Sequence, residues 1–274
     1  MGMNLCSVIA VVLAPLAWPA LAEDGNESQQ KVGPAAAAGS VEDQYQPSGV
    51  QALDNASKHG KYAFLFFYRD EDARTEQLRT VFDGAVAKIA DRAESFIIRV
   101  DDPAEKEIVD RFKVSRAPMP LAFSVAANGA IIQSFRQTFT EQQLFDAFAS
   151  PGMEACLKAL QERKYVLLCA QNGETQFNDE AMRGVQDFVA DPRYGRSTEI
   201  VTVDPSNEQE VDFLARFGLN SSPQEAVTLL LAPPGRVVGT FTGATDKNTL
   251  LAAVTQPKSG GCCGGGSGKS TCGK

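Results

Sequence analysis

The sequence predicts an α/β protein built from two tandem copies of one unit, each a central mixed sheet flanked by helices. Three observations carry this expectation. Short apolar runs of strand length alternate with stretches whose apolar residues recur at helical spacing. The same order of segments occurs twice along the chain. The landmarks of the two passes also keep a nearly constant separation. Lys61 and Lys164 lie 103 residues apart, Pro103 and Pro205 102, Pro118 and Pro223 105, and Phe135 and Phe241 106. A drift of a few residues is what insertions in surface loops produce. With 274 residues and 43% hydrophobic composition, the chain can build one large core or two of ordinary size.

In the first pass, "KYAFLFFYRD" (61–70) reads as a buried strand. From about Glu71 to Arg92, Leu78, Val81, Phe82, Val86 and Ile89 stand at helical spacing and predict a helix. "SFIIRVDDP" (95–103) is the next strand, and the short helix "AEKEIVDRFKV" follows. Then come Pro118, the strand "LAFSVAANG", a second apolar strand around Phe135, and the closing helix "TEQQLFDAFA". The second pass repeats this order. It runs "KYVLLCAQNG" (164–173), a helix carrying Met182, Val185, Phe188 and Val189, "TEIVTVDP" (198–205), "NEQEVDFLARFGL", Pro223, "VTLLLAPPG", a strand around Phe241, and "DKNTLLAAV".

The flanks differ in kind. No charge occurs from Leu5 to Ala22, and the run ends Ala20-Leu21-Ala22 before Glu23-Asp24, a small-x-small cleavage pattern. Residues 1–22 are therefore expected to be a secretory signal, placing the protein in the periplasm or outside the cell. No Lys or Arg precedes the run, and an uncleaved anchor is the alternative. Pro15 and Pro19 and the short length count against a spanning helix, and no later stretch is long and apolar enough to span. Residues 23–48 are polar and lack apolar periodicity, so a disordered linker is expected there. The formal net charge of −8 and the absence of any Lys/Arg run argue against nucleic acid and anionic membrane surfaces as partners.

The order β-α-β-α-β-β-α in each half resembles the thioredoxin fold. The tandem is similar to the paired domains of protein disulfide isomerases, over residues 49–152 and 153–257. The most specific stretch is "FKVSRAPMPLAF", which is similar to the family's segment before its cis-proline and third core strand. That match implies that Pro118 holds the cis-proline position, with Pro120 a nearby competitor. "FGLNSSPQEAVTLLL" implies the same for Pro223. The resemblance further implies that a peptide or protein partner binds beside such prolines. The family's dithiol motif, Cys-x-x-Cys, belongs at the end of the first core strand. There this chain has "YRDEDART", with Asp72 and Thr75 nearest the cysteine positions, and "AQNGETQF". Neither contains a cysteine. The resemblance therefore carries the fold without the activity of a standard thiol–disulfide oxidoreductase.

Other candidates have ordinary roles. Asp70, Glu71 and Asp72 sit where a helix begins, where carboxylates cap free N–H groups and suit the helix dipole. His59 is the single histidine and reads as a surface residue, which leaves zinc hydrolase and Ser-His-Asp chemistry unsupported. Cys156, on a helical apolar face, and Cys169, within a strand, read as core residues, with a Cys156–Cys169 disulfide as the alternative.

Residues 258–274 are expected to form a flexible tail, "SGGCCGGGSGKSTCGK" from Ser259 onward. Gly268-Lys269-Ser270 looks like half of a phosphate loop, but the first glycine of that motif would fall at Cys263, and no buried strand precedes it. No nucleotide is expected. Cys262, Cys263 and Cys272 stand among Gly and Ser, where no apolar neighbour could bury them, so reactivity explains them better than packing. Three sulfurs without histidine favour a soft ion such as Cu(I) over a four-coordinate zinc site. Thiol–disulfide exchange by the same residues is the alternative. The sequence thus points to an exported binding scaffold whose tail thiols carry soft-metal chemistry. A purely peptide-binding or protein-binding module is the third possibility.

Overall fold

The computed structural model describes residues 48–255. Its elements are α1 (Gly49–Lys58), β1 (Tyr62–Tyr68), α2 (Ala73–Lys88), β2 (Ala93–Arg99), α3 (Lys106–Phe112), β3 (Leu121–Val125), β4 (Ile131–Arg136) and α4 (Glu141–Phe145). There follow α5 (Pro151–Gln161), β5 (Tyr165–Ala170), α6 (Asn178–Val189), β6 (Thr198–Val203), α7 (Glu208–Ala215), β7 (Val227–Ala232), β8 (Arg236–Thr242) and α8 (Lys247–Thr255). Short 3-10 turns precede α3 and β6.

Two four-stranded sheets result, ordered β2-β1-β3-β4 and β6-β5-β7-β8. In each, the first two strands pair in parallel and the other pairings are antiparallel. The parallel pair is joined by a helical crossover, as parallel pairing requires. β1 and β5 are central and covered on both faces, which is why they read as unbroken apolar runs. Successive side chains on a strand point to opposite faces. Tyr62, Phe64 and Phe66 pack with Leu78, Phe82 and Val86 of α2 and Leu144 of α4. Ala63, Leu65 and Phe67 pack with Leu53 and Ala56 of α1 and Ile108 and Val109 of α3. The second sheet repeats the pattern. Val166 and Leu168 meet α5 and α7, and Leu167 and Cys169 meet α6 and α8. Each half therefore opens with one helix more than the expected order, α1 or α5.

The halves meet along α5. The Gln161 side-chain amide accepts from the Ile131 N–H at 3.0 Å and donates to the Ile131 C=O at 2.7 Å, as a neighbouring strand would. Tyr62 Oη accepts from the Ala149 N–H at 3.0 Å and donates to the Glu154 carboxylate. The Arg92 guanidinium lies 3.8 Å from the centroid of the Phe148 ring, close enough for a cation–π contact.

The cis-proline expectation needs correction. Among the described residues the cis peptide bonds are Met119–Pro120 and Pro233–Pro234, so neither Pro118 nor Pro223 is cis. Strand register explains the first difference. Pro120 is buried and immediately precedes Leu121, the first residue of β3, whereas Pro118 is exposed two residues further out. The corresponding place before β7 belongs to Ala226, because Val227 opens that strand. Pro223 lies three residues earlier, half-buried between exposed Ser222 and Gln224, and Pro234 sits between β7 and β8.

Candidate functional site

In the first half, the loop at the expected dithiol position runs from Arg69 to Asp72, between β1 and α2. Asp72 is the N-cap of α2, and its carboxylate accepts from the Thr75 N–H at 2.8 Å. That bond holds the Asp72 carboxyl below the usual carboxylate range. Asp72 therefore works as a cap, as the sequence suggested, and not as an acid–base group. Arg69 donates to the Ser115 C=O at 2.9 Å and lies 3.5 Å from Asp101. Arg74 donates to the Gln137 C=O at 3.0 Å, and the Gln137 N–H donates to the Pro120 C=O at 3.1 Å. These links draw the loop before α2 and the proline segment 114–120 into one locality. Met119 is half-buried there. Among the described residues neither its N–H nor its C=O has a hydrogen-bond partner.

The second half builds the same place differently. Its loop runs from Gln171 to Phe177 and is three residues longer. Thr175 Oγ1 accepts from the Asn172 N–H at 2.9 Å and donates to Asn178 Oδ1 at 2.6 Å. Asn172 Nδ2 reaches Asp204 at 2.9 Å. The Gln176 N–H donates to the Gln224 C=O at 3.0 Å, and the Ala226 N–H donates to the Gln176 C=O at 2.9 Å. Gln176 and Glu225 thus form a parallel bridge outside the named strands. Phe177 then turns the chain into α6 at φ 62°, a left-handed conformation rare for an aromatic residue.

The thiols in the described part are inert. Cys156 and Cys169 are free and buried. Burial pushes the Cys156 thiol up to about 12 and the Cys169 thiol up to about 11, so neither is a thiolate near neutrality. They also lie on opposite faces of the second sheet, Cys156 with the α5 and α7 cluster and Cys169 with the α6 and α8 cluster. The alternative of a disulfide between them is thereby excluded. His59 is exposed and pairs with Glu94 at 2.9 Å, as a surface residue should. Among the described residues no group of three or more His, Cys, Asp or Glu is placed to hold a metal ion. None of the described helices is long and apolar enough to cross a membrane. Cys262, Cys263 and Cys272 lie outside the described residues.

A cleft of about 690 Å³ lies between Asn128 and the α5–β6 face; it is lined by no residue of loop 69–72 or of segment 114–120, and it reaches Asp204, the partner of Asn172. Its Lys158 pairs with Glu162 at 3.2 Å, and its Lys164 with Glu162 at 3.0 Å and Glu199 at 3.4 Å. Its buried Glu210 is bonded to Ser150 and Gly152. The polar groups of this cleft serve the fold, so we place the candidate site at the proline segment instead.

What the sequence reading missed is the choice between Pro118 and Pro120, and the pairing of Gln176. For the first, both prolines stand within three residues of "LAFSV", and no local signal separates them. Nothing in "AQNGETQF" signals the second.

No family model matches the chain, and no curated protein matches it in sequence. Solved structures of thioredoxin-fold proteins do match. The first two thioredoxin domains of Saccharomyces cerevisiae Eps1p are 10% identical, over 77% of this chain and 97% of that one, with a TM-score of 0.29. The zinc-bound form of human ERp44 is 13% identical, over 74% of this chain and 56% of that one, with a TM-score of 0.33. A disulphide isomerase from Xylella fastidiosa is 16% identical, over 38% of this chain and 90% of that one, with a TM-score of 0.28. These are likenesses of fold alone. Each half of the chain carries a four-stranded mixed sheet of the same thioredoxin-like strand order, and neither loop 69–72 nor loop 171–177 contains a cysteine.

Proposed function

We propose that this chain is an exported, redox-inactive thioredoxin-like scaffold that holds an extended peptide or protein segment against the proline loop of its first domain. One observation carries the reading. The loop before α2 and the proline segment are tied together through Arg74, Gln137 and Pro120, with no thiol in either, while Met119 beside Pro120 keeps its backbone N–H and C=O unpaired among the described residues. Backbone polar groups of this kind are satisfied by partners. An extended segment satisfies both at once by pairing as a strand, which leaves specificity to the neighbouring side chains.

Two measurements test this. Purified protein given a dithiol supply should not accelerate insulin reduction, and it should bind a fluorescent, reduced and carboxymethylated insulin B chain. Met119→Pro removes the N–H donor, and that binding should weaken about five- to tenfold, the equivalent of one hydrogen bond. Undiminished binding by a folded Met119→Pro variant would sink the reading.

A second reading concerns the tail and rests on its sequence. Cys262, Cys263 and Cys272 stand among Gly and Ser without apolar neighbours. In this reading their thiolates take up a soft ion such as Cu(I), since soft ligands select soft metals. Reduced full-length protein should bind Cu(I) against a competing chelator, and the triple serine variant should not. If the serine changes abolish a disulfide-reducing activity and leave Cu(I) binding untouched, thiol exchange is the correct chemistry. If they change neither, the tail is inert.

A further inference from the structure

The internal repeat supplies a comparison within one molecule. Before β7, the Gln224 C=O and the Ala226 N–H are both occupied by the backbone of Gln176. The matching places before β3 are the C=O of Pro118 and the nitrogen of Pro120, because Leu121 and Val227 open their strands. Proline has no N–H. The first domain therefore cannot form the second of these two bonds. Its loop between strand and helix also has four residues where the other has seven. The longer loop is braced from within, by Asn172 to Thr175, Thr175 to Asn178 and Asn172 to Asp204. Phe177 turns left-handed directly after Gln176, and an atom of its ring lies 3.5 Å from where a Cβ on Gly243 would stand. Thr175 is buried, whereas Gly173 and Glu174 are exposed.

We propose that loop 171–177 is an internal strand mimic that closes the peptide-docking edge of the second domain, leaving the tandem one docking edge, that of the first. Ala226, standing where the first domain has Pro120, supplies the donor that permits closure. Calling this edge a docking edge rests on the function proposed above; the closure itself does not. Opening the loop should expose a second place for an extended, unfolded polypeptide.

Amide hydrogen exchange by NMR on the full chain tests the closure without any ligand. The amides of Gln176 and Ala226 should exchange at least tenfold more slowly than that of exposed Gly173, whose N–H has no hydrogen-bond partner among the described residues. Equal exchange would overturn the proposal. Ala226→Pro removes one donor, and the Gln176 amide should then exchange at least tenfold faster. The number of carboxymethylated insulin B chains bound per protein should rise from one to two. A released Gln176 with stoichiometry still at one overturns the proposal, as does a wild type that already binds two. Where Ala226→Pro fails to fold, Gln176→Pro removes the other donor; the Ala226 amide should then exchange at least tenfold faster, and the number of bound B chains should again rise from one to two. If no B chain binds to any variant, the proposed function fails, and the exchange rates still decide whether the loop is closed.

Discussion

The two halves use one device to start their first helix, at different depths. In the first, Ser48 caps α1, accepting from the Gln51 N–H at 3.4 Å, and the Gly49 N–H donates to Glu105 at 2.7 Å. In the second, Ser150 caps α5, accepting from the Met153 N–H at 3.2 Å, and the Gly152 N–H donates to Glu210 at 2.8 Å. The residue types are the same, and the spacing from serine to glutamate differs by three residues. Yet Glu105 is half-buried, whereas Glu210 is 3% exposed and also accepts from Ser150 Oγ at 2.6 Å. The difference arises because α5 is enclosed, with its own sheet on one side and contacts to the first domain through Glu154 and Gln161 on the other. A repeated sequence device therefore does not carry a repeated energy. The strength of a hydrogen bond, and the cost of losing one, grow as water is removed.

The sharpest way to break this comparison is at the glycines. A Cβ on Gly152 would stand 2.5 Å from Val203 Cγ1 and 2.7 Å from Glu210 Oε2, whereas one on Gly49 would have no neighbour nearer than 2.9 Å. Gly152→Ala should cost about 3 kcal/mol and Gly49→Ala about 1 kcal/mol, within the usual range for overpacking. Urea denaturation followed by circular dichroism measures both, and equal costs would remove the asymmetry.

The carboxylates come next. Glu210→Ala leaves the Gly152 N–H and Ser150 Oγ without their acceptor and should cost about 2–3 kcal/mol. Glu105→Ala loses one bond in a wetter place and should cost about 1 kcal/mol. A larger effect at Glu105 would mean that burial is not what separates the two sites.

The junction sharpens the same point. Tyr62→Phe strips the Ala149 N–H of its acceptor and Glu154 of its donor, and should cost about 1–2 kcal/mol. Burial raises the carboxyl of Glu154, so its charged form is disfavoured in the folded state. Glu154→Gln should accordingly be neutral or slightly stabilising at pH 7. Clear destabilisation by Glu154→Gln in thermal melts would contradict the burial argument.

One further expected effect lies outside the shared device. Arg193 at 3.0 Å and Lys247 at 3.0 Å hold the Asp191 carboxyl well below the usual carboxylate range. A depressed folded-state pKa contributes stability above the unfolded value, about 3.9, and that contribution is lost as pH falls through the folded value. Asp191→Asn should therefore melt below wild type at pH 7, with the gap closing progressively below about pH 4. A gap independent of pH would show that charge is not what Asp191 contributes.

Much of the fold was legible because its signal is local. "YAFLFFY" and "YVLLCA" could only be strands covered on both faces, and Leu78, Phe82 and Val86 could only form one face of a helix. α1 was not legible as a helix. Its apolar contribution is Ala52, Leu53 and Ala56 in an otherwise polar decapeptide, and its stability comes from the cap and from packing on β1 and α3. Of the candidate site, the loop without thiols could be placed from sequence, and so could the proline-rich approach to β3. Which proline enters the strand could not, because Pro118 and Pro120 satisfy the same local pattern.

The sequence by itself determined the alternation of strands and helices, the duplication, the capping role of Asp72 and the absence of cysteine from both loops at the dithiol position. Each follows from residue type and spacing over a few turns of chain. The tertiary structure alone decided that Pro120 and not Pro118 is cis, that the sheet separates Cys156 from Cys169, and that Gln176 occupies the backbone of Gln224 and Ala226 while Met119 keeps its own groups unpaired among the described residues. These outcomes depend on register between segments roughly 50 residues apart, from Gln176 to Ala226. A backbone N–H has the same chemistry in every residue but proline, so its partner is chosen by where the packed core brings the chain together.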